Sequence, residues 1–336
     1  MGNLPRSLLQ LLRRVVGMTS EPKITVGLDI GSSSIKAVAL GINRAGARPI
    51  IGYGLVPLNQ GEEFYSADTI KTALVDMPAQ TNPVVIGVAG QSVFLRIVDM
   101  PEVSPHELKR ALPLEAERFL PFAVGDVEMD GQILSRNDKQ KVSVLIAACK
   151  KDLIQRRIDL LESAGLMLSA IDADALAVAN AYLAQNERAS YKACALLHVG
   201  AGLTNLVIFR DEVPALVRDI PWGAEHFVEE LSHHLGMEKN VAGQEFMRDS
   251  FSEQAGEALR LACEALVVEV QLSFDYFENQ HGKPPEGLLL SGGCSLSKAF
   301  LNALASHFVQ PVNGWSPEGL SSQFAVAYGL ALRKVN

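Results

Sequence analysis

Two short turns of small residues are the features of this sequence that could carry chemistry. The first occupies 31–34, after the β-rich run 23–30, and the second occupies 200–202, after the apolar run 193–199 and before the returning strand 203–209. Backbone N–H groups reach a phosphate at about 3 Å only where no bulky side chain intervenes, which glycine and serine permit. Two such turns facing each other would clamp a triphosphate.

Other residues near these turns could bind the metal ion, the phosphates and the base of a nucleoside triphosphate. Asp29 at the end of the first strand would hold Mg²⁺ directly or through water, and Lys36 would add positive charge. A third turn follows the apolar strand 288–290, where a flat adenine base could lie against backbone. The residues predicted to contact nucleotide are Asp29, Gly31, Ser32, Ser33, Ser34, Lys36, Gly200, Ala201, Gly202, Leu203, Thr204, Asn205, Gly292, Gly293 and Cys294. Each turn taken alone also fits an ordinary hairpin.

The elements that position these turns repeat along the chain. Both halves begin as strand, turn, strand, and an offset of 169 residues superimposes Gly31 on Gly200. Another strand pair is predicted on either side of 89–92. Helices are predicted at 104–119, 151–164, 173–184, 223–235, 241–249, 253–280 and 324–333, with strands at 126–135 and 141–148. Ser104 and Glu107 form a capping-box pattern at the first of these helices.

Composition limits the class of protein. The chain has 336 residues, 48% of them hydrophobic, and a formal net charge of −8. This predicts about two domains with their own cores and makes nucleic acid a poor partner. Four cysteines stand far apart inside apolar stretches, which favours reduced core residues over a metal or redox site. No segment is apolar for long enough to span a bilayer.

The first 22 residues differ from the rest. Leucines and valines recur at helical spacing between 4 and 16, with Arg6, Arg13 and Arg14 interleaved. This pattern is typical of a basic amphipathic helix and not of a secretory signal. Such a helix would lie on an anionic membrane surface. Packing on the chain's own domain is the equally weighted alternative.

The order of the motifs carries a resemblance to known proteins. The runs 27–36 and 197–205 resemble the two phosphate motifs of the actin-like ATPase superfamily, and 290–295 resembles its adenosine motif. The segments Ile171–Tyr182 and Phe324–Arg333 resemble the two connecting helices. More specific is the central run 114–122, Leu-Glu-Ala-Glu-Arg-Phe-Leu-Pro-Phe, preceded by Val-Asp-Met-Pro at 98–101. This run is similar to the PilM family of type IV pilus assembly proteins.

The resemblance implies an α/β fold, the duplicated, ribonuclease-H-like fold of actin-like ATPases with an inserted subdomain like that of FtsA. The implied layout is an N-terminal amphipathic segment at 1–22, a first half at 23–82 continued by 166–190 and 324–336, an SHS2-like insert at 83–165, and a second half at 191–323. The two halves would enclose a nucleotide cleft.

The resemblance also implies a role. The family binds the short cytoplasmic N-terminal segment of the inner-membrane protein PilN in a groove between the first core subdomain and the insert. It thereby links the membrane complex to the cytoplasmic assembly motors, which makes a motor ATPase a further expected partner. The expected location is the cytoplasmic side of the inner membrane, and residues 4–16 would contact the membrane surface.

Several positions depart from the family pattern and weaken the case for hydrolysis. His198 stands where the second phosphate motif usually has an acid, and a neutral imidazole is a poor Mg²⁺ ligand. Gln244 and Met247 stand where an acid and a lysine often contact ribose and base. Asp172 and Asp174 are candidates for positioning water, although capping of a helix N-terminus explains them equally well. The expectation is a nucleotide-binding scaffold with weak or no ATPase activity.

Two other functions are compatible with the same fold. One is a small-molecule kinase acting on a sugar or an acid, and the other is an FtsA-like ATPase that forms filaments. A kinase requires a general base opposite the phosphates. The sequence shows no aspartate in a sugar-kinase-like setting, so the adaptor is preferred.

Overall fold

The computed structural model describes residues 24–43, 46–58, 66–77, 83–137, 141–185, 191–247 and 252–333. The amphipathic segment predicted at 1–22 lies outside the described residues. In chain order the strands are β1 (Ile24–Ile30), β2 (Ser34–Gly41), β3 (Ile50–Pro57), β4 (Val84–Val88), β5 (Val93–Pro101), β6 (Val127–Asn137), β7 (Lys141–Lys150), β8 (Leu168–Ala173), β9 (Ala193–Val199), β10 (Thr204–Arg210), β11 (Val213–Ile220), β12 (Gly287–Ser291) and β13 (Val312–Gly314). The helices are α1 (Ala67–Ala73), α2 (Pro105–Ala116), α3 (Lys151–Ser163), α4 (Asp174–Leu183), α5 (Ala224–Leu235), α6 (Lys239–Phe246), α7 (Glu253–His281), α8 (Lys298–Ala305) and α9 (Ala325–Ala331).

The chain divides into two compact units. The first unit comprises Met1–Ala184 and Val326–Asn336, and the second comprises Gln185–Ala325. The first unit has a five-stranded sheet in the order β3-β2-β1-β4-β8, and the second has one in the order β11-β10-β9-β12-β13. Each sheet begins with an antiparallel hairpin and adds its last two strands in parallel. The internal repeat predicted from the 169-residue offset is therefore confirmed by identical strand order and direction.

A third, smaller sheet belongs to the first unit. Its order is β5-β7-β6, all antiparallel, and α2 packs on β6. Leu108 and Leu112 of α2 meet Val142, Val144 and Ile146 of β7 in a separate apolar cluster. The capping box is confirmed, because Ser104 Oγ accepts from Glu107 N–H at 3.3 Å and Glu107 Oε2 accepts from Ser104 N–H at 2.8 Å.

The strand pair predicted around 89–92 is wrong. β4 pairs in parallel with β1 and β8, whereas β5 pairs with β7 in the small sheet. All five residues of β4 are buried, as expected for a central parallel strand covered on both faces. Gly90, at φ +85°, supplies the left-handed conformation at which the chain leaves the large sheet. Within the predicted insert 83–165, β4 and α3 accordingly pack into the core of the first unit's large sheet.

The C-terminal helix closes the first unit. Gly27 of β1 lies so close to α9 that a Cβ there would stand 2.0 Å from the carbonyl oxygen of Ala327. Thr25 Oγ1 donates to the Ala331 carbonyl at 2.7 Å. The connecting helix expected at 324–333 is thus present as α9. The other one, expected from Ile171, begins three residues later, because Ile171–Ala173 completes β8.

The four cysteines are buried and form no disulfide, as predicted. Among the described residues, no helix combines the length and apolar character needed to cross a membrane.

Candidate functional site

The first turn joins β1 to β2. Gly31 N–H donates to the Ser34 carbonyl at 3.2 Å, and a Cβ at Gly31 would lie 3.1 Å from that oxygen, so the tight turn favours glycine. Ser32 and Ser33 are exposed, whereas Ser34 is buried at the start of β2. The Ser33 carbonyl accepts from Leu58 N–H at 2.8 Å, which ties the turn to the end of β3.

Asp29 and Lys36 are bound to each other. They are direct partners across the hairpin, and Lys36 Nζ lies 3.0 Å from Asp29 Oδ2. The side chains are only 8% and 13% exposed, so the pair is protected from solvent screening. The ammonium group is bound to only one carboxylate oxygen, Oδ2, so a Mg²⁺ ion at Asp29 would approach the other oxygen, Oδ1, beside the positive charge of Lys36. The pairing partner of Asp29 therefore competes with the metal role predicted for it.

The second turn has the same geometry in the second unit. Gly200 N–H donates to the Leu203 carbonyl at 2.9 Å. The carbonyls of Gly200 and Ala201 accept from Ala224 and Glu225 N–H groups, at 3.0 and 2.9 Å, at the start of α5. These bonds fix the turn against the helix. Within the described part of the chain, the N–H groups of Ala201 and Gly202 donate to no protein acceptor, so both are available to an anion.

A row of polar side chains crosses the second sheet beside this turn. His198 stands at the position equivalent to Asp29 and is buried. Its cross-strand neighbour Asn205 donates to Asp219 Oδ1 at 2.7 Å, and Thr204 Oγ1 donates to the Trp222 carbonyl at 2.6 Å. Asp219 was not among the predicted site residues. The sequence gives little indication of a role for Asp219, since only the register of β10 on β11 places it beside Asn205.

The third turn is joined to the second by packing. Gly292 has φ +90°, and a Cβ there would lie 2.3 Å from the Val199 carbonyl, so glycine is required by close backbone contact. Cys294 is buried with its Sγ 3.8 Å from the Gly200 carbonyl, and burial raises the pKa of its thiol well above the usual range. Gly293 faces open space. Of the three residues predicted here, only Gly293 thus offers a surface to a ligand.

Asp172 and Asp174 have different surroundings. Asp172, in β8, is 2% exposed, ion-paired with Arg333 and bound to Ala173 N–H at 2.9 Å. Burial lowers the pKa of Arg333 to about 10. Asp174 is the first residue of α4, and its carboxylate occupies the space beside Gly87. The Asp172 carboxylate is committed to Arg333, a partner at the C-terminal end that the sequence did not indicate.

The two positions that depart from the family's ribose and base contacts lie on the surface of the second unit. Gln244 is exposed in α6, and Met247 follows that helix with an exposed side chain. Across the described ranges, no three acidic, histidine or cysteine side chains come together as a metal site.

A pocket of about 590 Å³ lies in the first unit, within the predicted insert 83–165, between the loop at 121–126 and the start of α3. One wall is the loop at 121–126, which continues the family-like central run, and the other is the junction of β7 with α3. Lys150 Nζ stacks 4.7 Å from the centre of the Phe122 ring, and Lys151 Nζ donates to the Gly125 carbonyl at 2.7 Å. The pocket therefore combines an aromatic and proline wall with two cationic groups and two carboxylates, Asp126 and Asp152.

The duplicated sheets, each with a glycine turn after its first strand, together with the inserted three-stranded sheet, define a protein of the actin-like ATPase fold. The family described as type IV pilus assembly protein PilM matches residues 27–335. The chain belongs to that family.

Solved structures agree with this assignment at the level of the fold. A structure described as the PilM-PilN type IV pilus biogenesis complex superimposes with a TM-score of 0.79 at 24% identity, covering 94% of this chain and 100% of that one. The ethanolamine utilization protein EutJ from Carboxydothermus hydrogenoformans gives 0.57 at 12% identity, covering 96% and 93%. A Bacteroides thetaiotaomicron protein with actin-like ATPase fold and unknown function gives 0.52 at 11% identity, covering 95% and 100%.

Proposed function

We propose that this type IV pilus assembly protein is an adaptor of the inner-membrane platform and binds the cytoplasmic N-terminal peptide of a PilN-like membrane protein. The observation that carries the proposal is the pocket between the loop at 121–126 and the start of α3, lined by Pro121 and Phe122 of the family-like run. Family membership and the fold shared with a PilM-PilN complex support it. They lend no support to the kinase or filament alternatives.

The pocket fits a short peptide better than a compact polar metabolite. Pro121, Phe122 and Ala123 provide an apolar wall for one or two side-chain anchors, while Lys150 and Lys151 provide donors for backbone carbonyls or a carboxylate. An extended segment laid there would contact the loop at 121–126 and the junction of β7 with α3.

Filling the pocket is expected to block the peptide. An added Cβ at Gly125, which lines the pocket, would meet no atom within 4 Å, so Gly125→Leu adds bulk at the pocket wall where the space beside the backbone is open. We expect at least a tenfold loss of affinity for a fluorescent peptide spanning the cognate PilN-like N-terminus, measured by anisotropy. Gly256→Leu is the matched control, because an added Cβ at Gly256 also meets nothing within 4 Å, and this residue lies in α7 of the second unit. If the two variants bind the peptide with equal affinity, the pocket is not the peptide-binding site.

Nucleotide is proposed as a ligand that is bound without turnover. The donor set does not fit a Mg²⁺ site, since Asp29 is paired with Lys36, Asp172 is paired with Arg333, and His198 stands in place of the second acid. The N–H groups of the second turn and the Lys36 ammonium still suit phosphate oxygens. No step of hydrolysis is therefore assigned to these residues.

Calorimetric titration with ATP tests this assignment. We expect affinities in the presence and absence of Mg²⁺ to agree within twofold and no phosphate release above the buffer rate. Asp29→Asn frees Lys36 and is expected to tighten Mg²⁺-free ATP binding. A tenfold gain on adding Mg²⁺ that disappears in Asp29→Asn would show instead that Asp29 holds the metal.

The proposal also includes a location at the membrane surface and a second protein partner. Residues 4–16 would bring the protein to an anionic membrane surface, and an assembly motor ATPase would be a further partner. If the double variant Leu4→Asp and Leu8→Asp floats with liposomes as the unchanged protein does, the proposed membrane contact is wrong.

A further inference from the structure

The long helix α7 of the second unit has an apolar outer face in addition to its buried one. Its inner face packs into the core of that unit against α5, α8 and β11. On the outer face Leu261, Val268, Leu272 and Tyr276 are 37%, 57%, 53% and 50% exposed, and Ala265 is exposed between them. A surface helix normally turns polar side chains outward. These five residues, called the α7 stripe below, form an apolar patch of the kind that marks an interaction site.

The spacing of the α7 stripe is that of a helix pair. Leu261, Ala265, Val268 and Leu272 follow one another at intervals of four, three and four residues. Alternation of four and three is the pattern by which two helices pack along a seam. From 261 to 276 the stripe is about 22 Å long, so it fits a partner helix of about four turns.

One edge of the α7 stripe is acidic. Glu257, Glu264, Asp275 and Glu278 are exposed along this edge, and Arg260 stands among them. Arg260 is already paired with Glu257 at 2.8 Å and with Glu264 at 3.6 Å. The edge keeps a net negative charge, which attracts cationic side chains of a partner and repels anionic ones.

This negative charge distinguishes among the surfaces that could cover the stripe. An anionic membrane surface attracts basic helices and would be repelled by the acidic edge. An antiparallel pair of two α7 helices would bring two acidic edges together, which costs energy. In a parallel pair, each acidic edge would face the opposite edge of the other copy, where Arg218 is already bound to Glu269 at 2.5 Å. Neither arrangement of two copies neutralises the acidic edge.

We propose that the α7 stripe is the docking site for a basic amphipathic helix of a partner protein. The apolar face of the partner helix packs along the seam from 261 to 276, and lysine or arginine side chains beside that face pair with Glu257 and Glu264. Burial of the apolar seam supplies most of the affinity, whereas the acidic edge selects the charge of the partner. The proposal does not depend on the peptide pocket, which lies in the first unit.

Two designed peptides test the charge of the partner. Each has about 16 residues, the length that spans the stripe, and carries leucines at intervals of four, three and four. The lysine peptide has lysines beside this seam, and the glutamate peptide has glutamates at the same positions. We expect the full chain to bind the lysine peptide at least tenfold more tightly, measured by fluorescence anisotropy. Equal affinities, or tighter binding of the glutamate peptide, would overturn the proposal.

Neutral polar substitutions test the apolar seam. Val268→Asn combined with Leu272→Asn is expected to weaken binding of the lysine peptide at least tenfold. The control is Val241→Asn combined with Val309→Asn, which changes two exposed valines elsewhere in the second unit and is expected to alter the affinity less than twofold. Circular dichroism checks that both double variants keep their helical signal. If the two double variants bind the lysine peptide equally well, the stripe is not its docking site.

Charge reversal separates the acidic edge from the overall negative charge of the chain. Glu257→Lys combined with Glu264→Lys is expected to reduce the preference for the lysine peptide at least fivefold. The control, Glu117→Lys combined with Glu162→Lys, makes the same change in charge at two exposed residues of the first unit and is expected to leave the preference within twofold. An equal reduction in both variants would show a general attraction to the acidic chain and would overturn the proposal.

The other possible occupants of the stripe give different results with the same seam variant. A dimer of the chain in analytical ultracentrifugation that is lost in Val268→Asn with Leu272→Asn would assign the stripe to a second copy. Flotation with vesicles of phosphatidylcholine and phosphatidylglycerol that is lost in this variant would assign the stripe to a membrane. Either result would overturn the proposal, and the expected result is that both properties of the chain are the same with and without the two substitutions.

Discussion

Replacing Gly329 by alanine is expected to lower the free energy of unfolding of the first unit by about 3 kcal/mol, the upper range for overpacking a dense core. A Cβ at Gly329 would lie 1.8 Å from the carbonyl oxygen of Ala177 and 2.4 Å from its carbonyl carbon. These are backbone atoms of α4, a helix that buries seven of its residues, so they have no flexible end that could move aside. The α9 helix would have to shift off the sheet.

A matched glycine in another helix provides the control. Gly256 in α7 meets nothing within 4 Å of an added Cβ. Gly256→Ala is expected to stabilise the second unit by up to about 1 kcal/mol, since alanine loses less backbone entropy in a helix. Urea unfolding followed by circular dichroism compares the two variants. If both changes shift the transition equally, the close contact of α9 with α4 does not limit stability.

Structural elements whose sequence signals are local could be predicted from periodicity and short motifs. The two glycine turns, the capping box at Ser104 and the long helix over 253–280 each depend on residues within a few positions of one another. The matching hairpins at Gly31 and Gly200 also followed from the sequence, because the repeat places like residues at a constant offset. Local rules therefore recovered both halves of the duplicated fold.

Contacts between distant residues could not be predicted in this way. The strand β8 precedes α4 without a break, and an apolar run of this kind fits a buried parallel strand or a buried helix equally well. The role of Gly292 depends on the Val199 carbonyl, which lies more than ninety residues away in sequence. The sequence suggested a ligand surface there, whereas close packing of two backbones already accounts for the glycine.

The same limit applies to the charged residues of the candidate site. Asp29 was predicted to hold Mg²⁺ and Lys36 to add positive charge beside the phosphates, and both residue types suit those roles. Only the register of β1 on β2 shows that they pair with each other. For Asp172 the partner is Arg333, 161 residues further along the chain, where the sequence offered a connecting helix and no site.

The Asp172–Arg333 pair is expected to give the largest single-residue effect on stability. Both groups are buried, at 2% and 8% exposure. Asp172→Ala leaves the guanidinium without its carboxylate in a low-dielectric site, which costs about 3–5 kcal/mol. The solvent-exposed pair of Lys239 and Glu229 is the control, and Glu229→Ala there is expected to change the free energy of unfolding by about 0.5 kcal/mol or less.

Two further measurements separate the loss of the ion pair from a general packing defect. Asp172→Leu combined with Arg333→Met removes both charges and is expected to recover most of the stability lost in Asp172→Ala. Burial lowers the folded-state pKa of Arg333 from 12.5 to about 10, so the folded chain releases this proton before the unfolded chain does. The stability of Asp172→Ala relative to the double variant should consequently rise as the pH increases from 9 to 11. The opposite outcome would be a loss of unfolding free energy that persists in the double variant and does not change with pH. The Asp172 side chain would then act by filling space, and its charge would contribute little to holding the C-terminal end on the first unit.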